Sequence, residues 1–328
     1  MAMTRTLAVA CLLSLTGATT GAADTLLIAD KTDHKLLYLD TETGRITRAV
    51  SVGENPHEVV VTRDGRLAFV ANPGSNTLSI VDIATGTELK RLSSPLFGFP
   101  HGMALHPDGR TVYLTSEQKR LLIALDVETL EIANQLSTEM DGSHMVVLSP
   151  DGGRAYITDR GSARVTVIDT ARWAIVAHVP AGDGVEGIAL TPDGRLLVVA
   201  NRNDNNVHVI DTATLQSTGT ASVGQGPVRV ACTPDGRLAL VSHRTSGDVH
   251  VIDLSTRTVT ARVQVGAEPG GMAFSGDGTR AFVANTGEGT VSVLDLKTMK
   301  VVATHPAGKG PDGMVTIRSA RSPSSGNR

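Results

Sequence analysis

Short apolar runs of five or six residues, rich in Val, Ile, Leu and Ala, recur along the chain between polar turns that carry Asp and Gly. Runs of that length bounded by turn residues read as β-strands, and no window sustains the period of an amphipathic helix. The pattern also repeats. TRDGRLAFVAN around Asp64 returns as HPDGRTVYLTS, SPDGGRAYITD, TPDGRLLVVAN, TPDGRLALVSH and SGDGTRAFVAN, with the marker acids Asp64, Asp108, Asp151, Asp193, Asp235 and Asp277 standing 44, 43, 42, 42 and 42 residues apart. An apolar alternation ending in Asp recurs in phase with it at Asp40, Asp82, Asp126, Asp169, Asp211, Asp253 and Asp295. Four short antiparallel strands in each of seven such units predict an all-β fold, a seven-bladed β-propeller.

Residues 24–53 supply only three strands, TLLIAD, KLLYLD and ITRAVSVG. The missing innermost strand is found at the far end as GPDGMVTIR, so the first blade is expected to be closed by the C-terminal strand, which leaves no open sheet edge. The propeller then spans residues 24–318, and the polar stretch SARSPSSGNR of residues 319–328 reads as a disordered tail. At the other end, Arg5, the apolar run Leu7–Leu15 and the small residues TGATTGAAD read as a secretory signal peptide, residues 1–23, cut after Ala23. Cys11 lies inside that apolar run, and the run is too short to remain as a membrane span. A periplasmic or secreted, monomeric protein without a membrane span is expected.

The strings AFVAN, LVVAN and AYITD, each followed by a strand such as VIDT or VLDL, resemble the YVTN family of propeller repeats, which includes the exported YncE-like proteins. The resemblance covers residues 24–318 and implies fold and export rather than one activity, because such repeats carry many functions. Some relatives are associated with single-stranded DNA. Here the leader takes away one Arg of the 30 basic residues and none of the 33 acidic ones, and aromatic residues are only 3%. Neither a basic groove nor a stacking platform for nucleic acid is evident.

Most chemically suggestive residues have a structural reading. The seven repeated Asp are expected to cap the turn between third and fourth strands through side-chain to backbone hydrogen bonds, and the Asp-Gly turns to join first and second strands likewise. Trp173 sits in an outer turn and reads as packing. Cys232, the one Cys of the mature chain, reads as a small buried hydrophobe. His208 and His250 lie in VHVID strands towards the blade exterior, where solvated or interblade positions are expected.

One column of the repeat is not explained this way. Seven residues before the marker acids, where the chain enters each innermost strand, stand His57, His101, His144, Glu186, Val228 and Gly270; PDGM against PHGM adds Asp312. Ring closure makes Asp312, His57, His101, His144 and Glu186 neighbours in order, all of metal-ligand type. With ten His in the whole chain, three at seven equivalent sites exceed chance. Their side chains are expected to converge on the mouth of the central channel, where His57, His101, His144 and Glu186 would hold a divalent transition metal, Zn, Fe, Mn or Cu. The loops between second and third strands belong to the same face and place Arg160, Arg202 and Arg244 in one column, with Arg229 one residue past its lip position. These Arg suit a small anionic ligand.

Three functions follow. The first is binding of a metal ion or a small anionic ligand at the channel mouth. The second is a metal-dependent hydrolase or lyase, lactonase-like, with Asp312 or Glu58 as base. The third is a metal-free scaffold for a periplasmic protein partner.

Overall fold

The computed structural model of the chain describes residues 24–318; the signal-peptide reading of residues 1–23 and the tail reading of residues 319–328 lie outside the described residues. Within them the chain forms seven four-stranded antiparallel sheets, arranged as a ring of blades. Six sheets take their strands in chain order. The seventh pairs Pro311–Arg318 with Asp24–Asp30, then Lys35–Asp40 and Ile46–Ser51, so one blade is built from both ends as expected. The closing register runs from Thr25 opposite Ile317 to Ile28 opposite Met314. No helix among the described residues is long and apolar enough to cross a membrane.

The hydrophobic pattern explains the layering. Side chains alternate between the two faces of a strand, and each blade is covered on both faces by its neighbours. The second strand therefore reads as a continuous apolar run: all six residues of Leu67–Asn72 are buried. The outermost strand lies at the rim, and Thr87–Ser93 is exposed except at Glu88 and Leu92, which are half-buried. The core is divided into seven clusters, one in each interblade interface. In one of them Leu67, Phe69 and Ile80 pack on Met103, Leu114 and Ile123 of the next blade. Cutting the fully buried Phe69 to Ala would cost roughly 3–5 kcal/mol there.

The turns are built as their residues dictate. All seven repeated Asp accept backbone N–H bonds from two or three residues ahead, as Asp40 does from Thr43 at 2.7 Å and Asp295 from Thr298 at 2.7 Å. In the first turn of the six blades with strands in chain order, acids such as Asp193 accept from the amide two residues on, and all but Asp108, which faces His106, also from a Thr or Ser hydroxyl two residues back. Trp173 stacks on Tyr113 with ring centroids 5.7 Å apart, a packing role. Of the solvated and interblade positions open to His208 and His250, His250 takes the covered one and is only 2% exposed, while His208 is half-buried.

Candidate functional site at the channel mouth

Innermost strands begin on one face of the ring, and in six of the seven their second residue sits in a bulge, while His57 immediately precedes the unbroken strand Glu58–Val61. In Pro100–Leu105, Pro100 pairs with Ser116 but Met103 with Leu114, so three steps on one strand answer two on the other. Comparable shifts occur in the strands that carry His144, Glu186, Val228, Gly270 and Asp312. A bulge releases the lip side chain from the ladder and turns it away from the sheet. Close approach of adjacent strands needs the glycine that follows: a Cβ on Gly102 would stand 2.5 Å from the His144 carbonyl oxygen.

The lip residues consequently meet. Ring centroids of His57 and His101 are 4.8 Å apart and those of His101 and His144 3.8 Å, with Phe99 stacked on His101. The three imidazoles form a row rather than a ring about one point, and a carboxylate stands at each end. Asp312 Oδ2 lies 3.8 Å from His57 Nε2, and Glu186 Oε1 lies 3.9 Å from His144 Nε2. Both end rings are anchored through the other nitrogen: His57 Nδ1 donates to the Asn55 carbonyl at 3.2 Å, and His144 Nδ1 donates to Glu117 Oε2 at 2.8 Å. An anchor of this kind fixes the tautomer and leaves the Nε2 lone pair facing the mouth. His101 is buried, and its Nδ1 has no hydrogen-bond partner among the described residues.

Burial keeps the row uncharged at neutral pH. It lowers His57 to about 4 against the pull of Asp312, drives His101 well below its ordinary value with His144 and His57 adding to the effect, and lowers His144 despite Glu117 and Glu186. Burial would raise the Asp312 carboxyl, but Lys31, Arg229 and His57 overturn that and hold it well below the usual carboxylate range. Lys31 Nζ sits 3.1 Å from Asp312 Oδ2. Asp312 is thus an ionised, weakly basic group. Burial pushes Glu58 up to about 7, with Arg229 pulling the other way, so of the two acids expected as bases Glu58 has the proton affinity for the part.

Arg229 does not sit among the other three Arg. Its side chain is 12% exposed, and its guanidinium pairs with Glu58 of another blade, reaches Met145 Sδ of a third, and lies 3.8 Å from Asp312 Oδ2. A side chain that touches three other blades crosses the channel, and it forms the floor of the mouth. Above it remains a cup of about 120 Å³, lined by the lip residues and the Arg column. Arg202 lies 3.2 Å and Arg160 4.0 Å from Glu186 Oε2, and both also border an adjoining hollow of about 490 Å³. Arg244 is turned onto Glu268 at 2.6 Å while still lining the cup.

Two residues that matter here, Lys31 and Glu117, escaped the sequence reading. They occupy the column of Arg160, Arg202 and Arg244, the residue that follows the end of each second strand. Reading that column for every charge, rather than for Arg alone, would have found both.

Comparison with known proteins agrees with the architecture. The profile of the family described as Lactonase, 7-bladed beta-propeller matches residues 41–210 and 174–260. The profile of the Cytochrome D1 heme domain matches residues 225–321. The chain is 29% identical over 119 residues to the Seven-bladed beta-propeller protein Rv1057 of Mycobacterium tuberculosis (strain ATCC 25618 / H37Rv), covering 35% of this chain and 29% of that protein. It is 25% identical over 179 residues to Hydrazine synthase subunit beta of Kuenenia stuttgartiensis, covering 41% and 46%. The matched segments therefore span less than half of either relative. Among solved structures, Kuenenia stuttgartiensis Hydrazine Synthase superposes with a TM-score of 0.74 at 23% identity, covering 87% of this chain and 99% of that one. A functionally unknown protein from Desulfotomaculum acetoxidans DSM 771 superposes with a TM-score of 0.79 at 15% identity, covering 91% and 100%. At those identities the superpositions speak for the fold alone. With one family profile matched over more than half of its length and seven sheets closed into one ring, the chain belongs to the seven-bladed β-propeller family described as lactonase.

Proposed function

We propose that the chain is an exported, YVTN-type propeller whose channel mouth binds a divalent transition metal ion together with the acidic head of a small ligand. The observation that carries this reading is the pair of anchored end imidazoles, each turned by its Nδ1 bond so that Nε2 faces a carboxylate across the mouth. Neutral imidazoles flanked by carboxylates, without thiolates, form a donor set for Zn²⁺ and the ions near it. His57, His101, His144 and Glu186 would hold the ion. Among the described residues the group of three metal-ligand side chains whose ligand atoms lie within 4.8 Å of one another is not at the mouth, so these rings, with neighbouring centroids 4.8 and 3.8 Å apart, would have to rotate towards one point to end about 2.0–2.1 Å from a metal. Bound there, the ion would act as a Lewis acid towards a carboxylate or carbonyl. The cup of about 120 Å³ takes an ion, a few waters or an acidic head group, and a larger ligand body would extend into the hollow beside Arg160 and Arg202. Those guanidiniums suit an anion by charge and geometry.

Metal analysis of untagged protein purified without chelator, compared with His57→Ala/His144→Ala, tests the proposal. The wild type is expected to carry one equivalent of metal that the double variant lacks. Equal metal in both proteins would overturn it.

A hydrolytic reading shares the site, because the family description names lactonases and Glu58, paired with Arg229 and pushed up to about 7, has the proton affinity of a general base. Lactone turnover that needs the metal and is lost in Glu58→Gln is its expected outcome. Turnover equal in Glu58→Gln would remove Glu58 from the chemistry.

A further inference from the structure

A second group of metal-ligand side chains lies inside one blade, one strand outward from the channel. In several blades a side-chain lock joins the end of the second strand to the start of the third. In the blade of Asn285, Asn285 Nδ2 donates to Thr290 Oγ1 and to Ser292 Oγ, both at 2.9 Å, and Asn285 Oδ1 accepts from the Gly266 amide at 3.0 Å. Asn72, Thr77 and Ser79 repeat the amide-to-hydroxyl part. At the same three positions the blade formed by residues 227–264 carries His243, Asp248 and His250. Two imidazoles and a carboxylate thus stand where the blades of Asn72 and Asn285 have an amide and two hydroxyls; the neighbouring blade has Asn201, Asn206 and His208 there.

The three residues are close and shielded. One ligand atom from each falls within 4.8 Å of the others, and His243 and His250 are 0% and 2% exposed. His243 Nδ1 lies 3.1 Å from Asp248 Oδ1, and His250 Nε2 lies 3.1 Å from Asp248 Oδ2. Those lengths approach the ligand-to-ligand edge of a tetrahedral zinc site, about 3.3 Å for bonds of about 2.0–2.1 Å. The nitrogens an ion would take are those that face Asp248, His243 Nδ1 and His250 Nε2; the opposite nitrogens, His243 Nε2 and His250 Nδ1, are buried without a partner among the described residues, as is Asn72 Oδ1 in the lock of its blade. The loop above is shaped to the cluster, since a Cβ on Gly224 would stand 2.9 Å from the His243 ring and 3.0 Å from Asp248 Oδ1. Asp248 is the outlet, its side chain 18% exposed and bonded by the Ser246 hydroxyl at 2.7 Å.

We propose that His243, Asp248 and His250 form a zinc-type site inside this blade, with three protein ligands and the fourth position open to water or to Ser246. Arg244, the next residue, lines the mouth cup, so an ion held here fixes the strand end from which that Arg projects.

The test uses the full chain, freed of metal and titrated with Zn²⁺ by calorimetry, with metal per chain counted by mass spectrometry. The mouth variant His57→Ala/His144→Ala is compared with the same protein carrying His243→Asn, Asp248→Thr and His250→Ser, which installs the lock of the blade of Asn285. The mouth variant is expected to keep one equivalent of zinc, and the added lock is expected to weaken it at least tenfold. Cobalt in place of zinc should give the visible bands of a tetrahedral ion in the first protein and not in the second. Equal zinc binding in the two proteins, or none in either, would overturn the proposal. Should the triple change unfold the blade, Asp248→Asn, which keeps the shape, gives the same comparison. The mouth site can fail this test or pass it without altering the outcome here.

Discussion

Asp159→Asn is expected to stabilise the protein at pH 8 and to change little at pH 4. Asp159 ends the second strand of its blade, fully buried, where three other blades carry Asn72, Asn201 and Asn285. Its carboxyl accepts from Thr166 Oγ1 at 2.6 Å and Ser143 Oγ at 3.1 Å, and burial outweighs both bonds and pushes it up to about 7. A group whose folded pKa lies above its unfolded value binds its proton more tightly when folded. Stability from that proton is complete below about pH 4 and is lost as pH rises towards 7, since the folded state then holds protons the unfolded one has shed. Three units at about 1.4 kcal/mol each set a ceiling of about 4 kcal/mol on the loss. Asparagine never ionises, and its Nδ2 can donate to Thr166 Oγ1 as Asn285 does to Ser292. Thr166 would then turn its proton to His178 Nδ1, already 3.0 Å away. Thermal melts of both proteins at pH 4 and pH 8 check this: the variant should gain roughly 4–10 °C over the wild type at pH 8 and almost nothing at pH 4, at about 2–4 °C per kcal/mol. A gain equal at both pH values would refute the argument, because it would then owe nothing to ionisation.

Ending the chain at Gly310 removes the innermost strand of the closing blade and bares the edge of Asp24–Asp30, so the ring should lose its single cooperative melt or aggregate; an unchanged melt would refute the two-ended blade. Replacing Arg160 and Arg202 by Ala should weaken binding of inorganic phosphate, measured by calorimetry, at least fivefold, and equal affinity would take these Arg out of the anion site. Cys232, whose thiol burial pushes up to about 12, should react with a thiol reagent at pH 8 only after unfolding, and fast reaction in the native protein would contradict its placement.

The fold was legible because its cause is local and repeated seven times. Each turn Asp binds the amides two or three residues ahead of it, so its position in the sequence is its position in the structure. The two-sided burial of Leu67–Asn72 is likewise written as an unbroken apolar run. Deducing that Pro311–Arg318 completes a blade begun almost three hundred residues earlier needed only the count of strands per repeat.

The site was half legible, and the reason is the difference between a column and a contact. Columns of the repeat survive folding as rings of equivalent positions, so His57, His101, His144, Glu186 and Asp312 could be placed side by side before any coordinates. A contact that crosses columns leaves no such trace. Arg229 has a place in the repeat beside Val228, but its bond to Glu58 spans the channel between blades that are not adjacent, and no periodicity links residue 229 to residue 58. The lock of His243, Asp248 and His250 fails in a subtler way. Its members belong to three different columns of one blade, so a search down columns meets each of them singly, and His250 beside its equivalent His208 reads there as a solvated or interblade side chain. Only when the three columns are read across a single blade do two imidazoles and a carboxylate come together where the blade of Asn285 has Asn, Thr and Ser. In a repeat protein, chemistry is therefore to be sought both down the columns, where a ring of ligands can meet at the axis, and across each unit, where a structural network can be converted whole into a binding site.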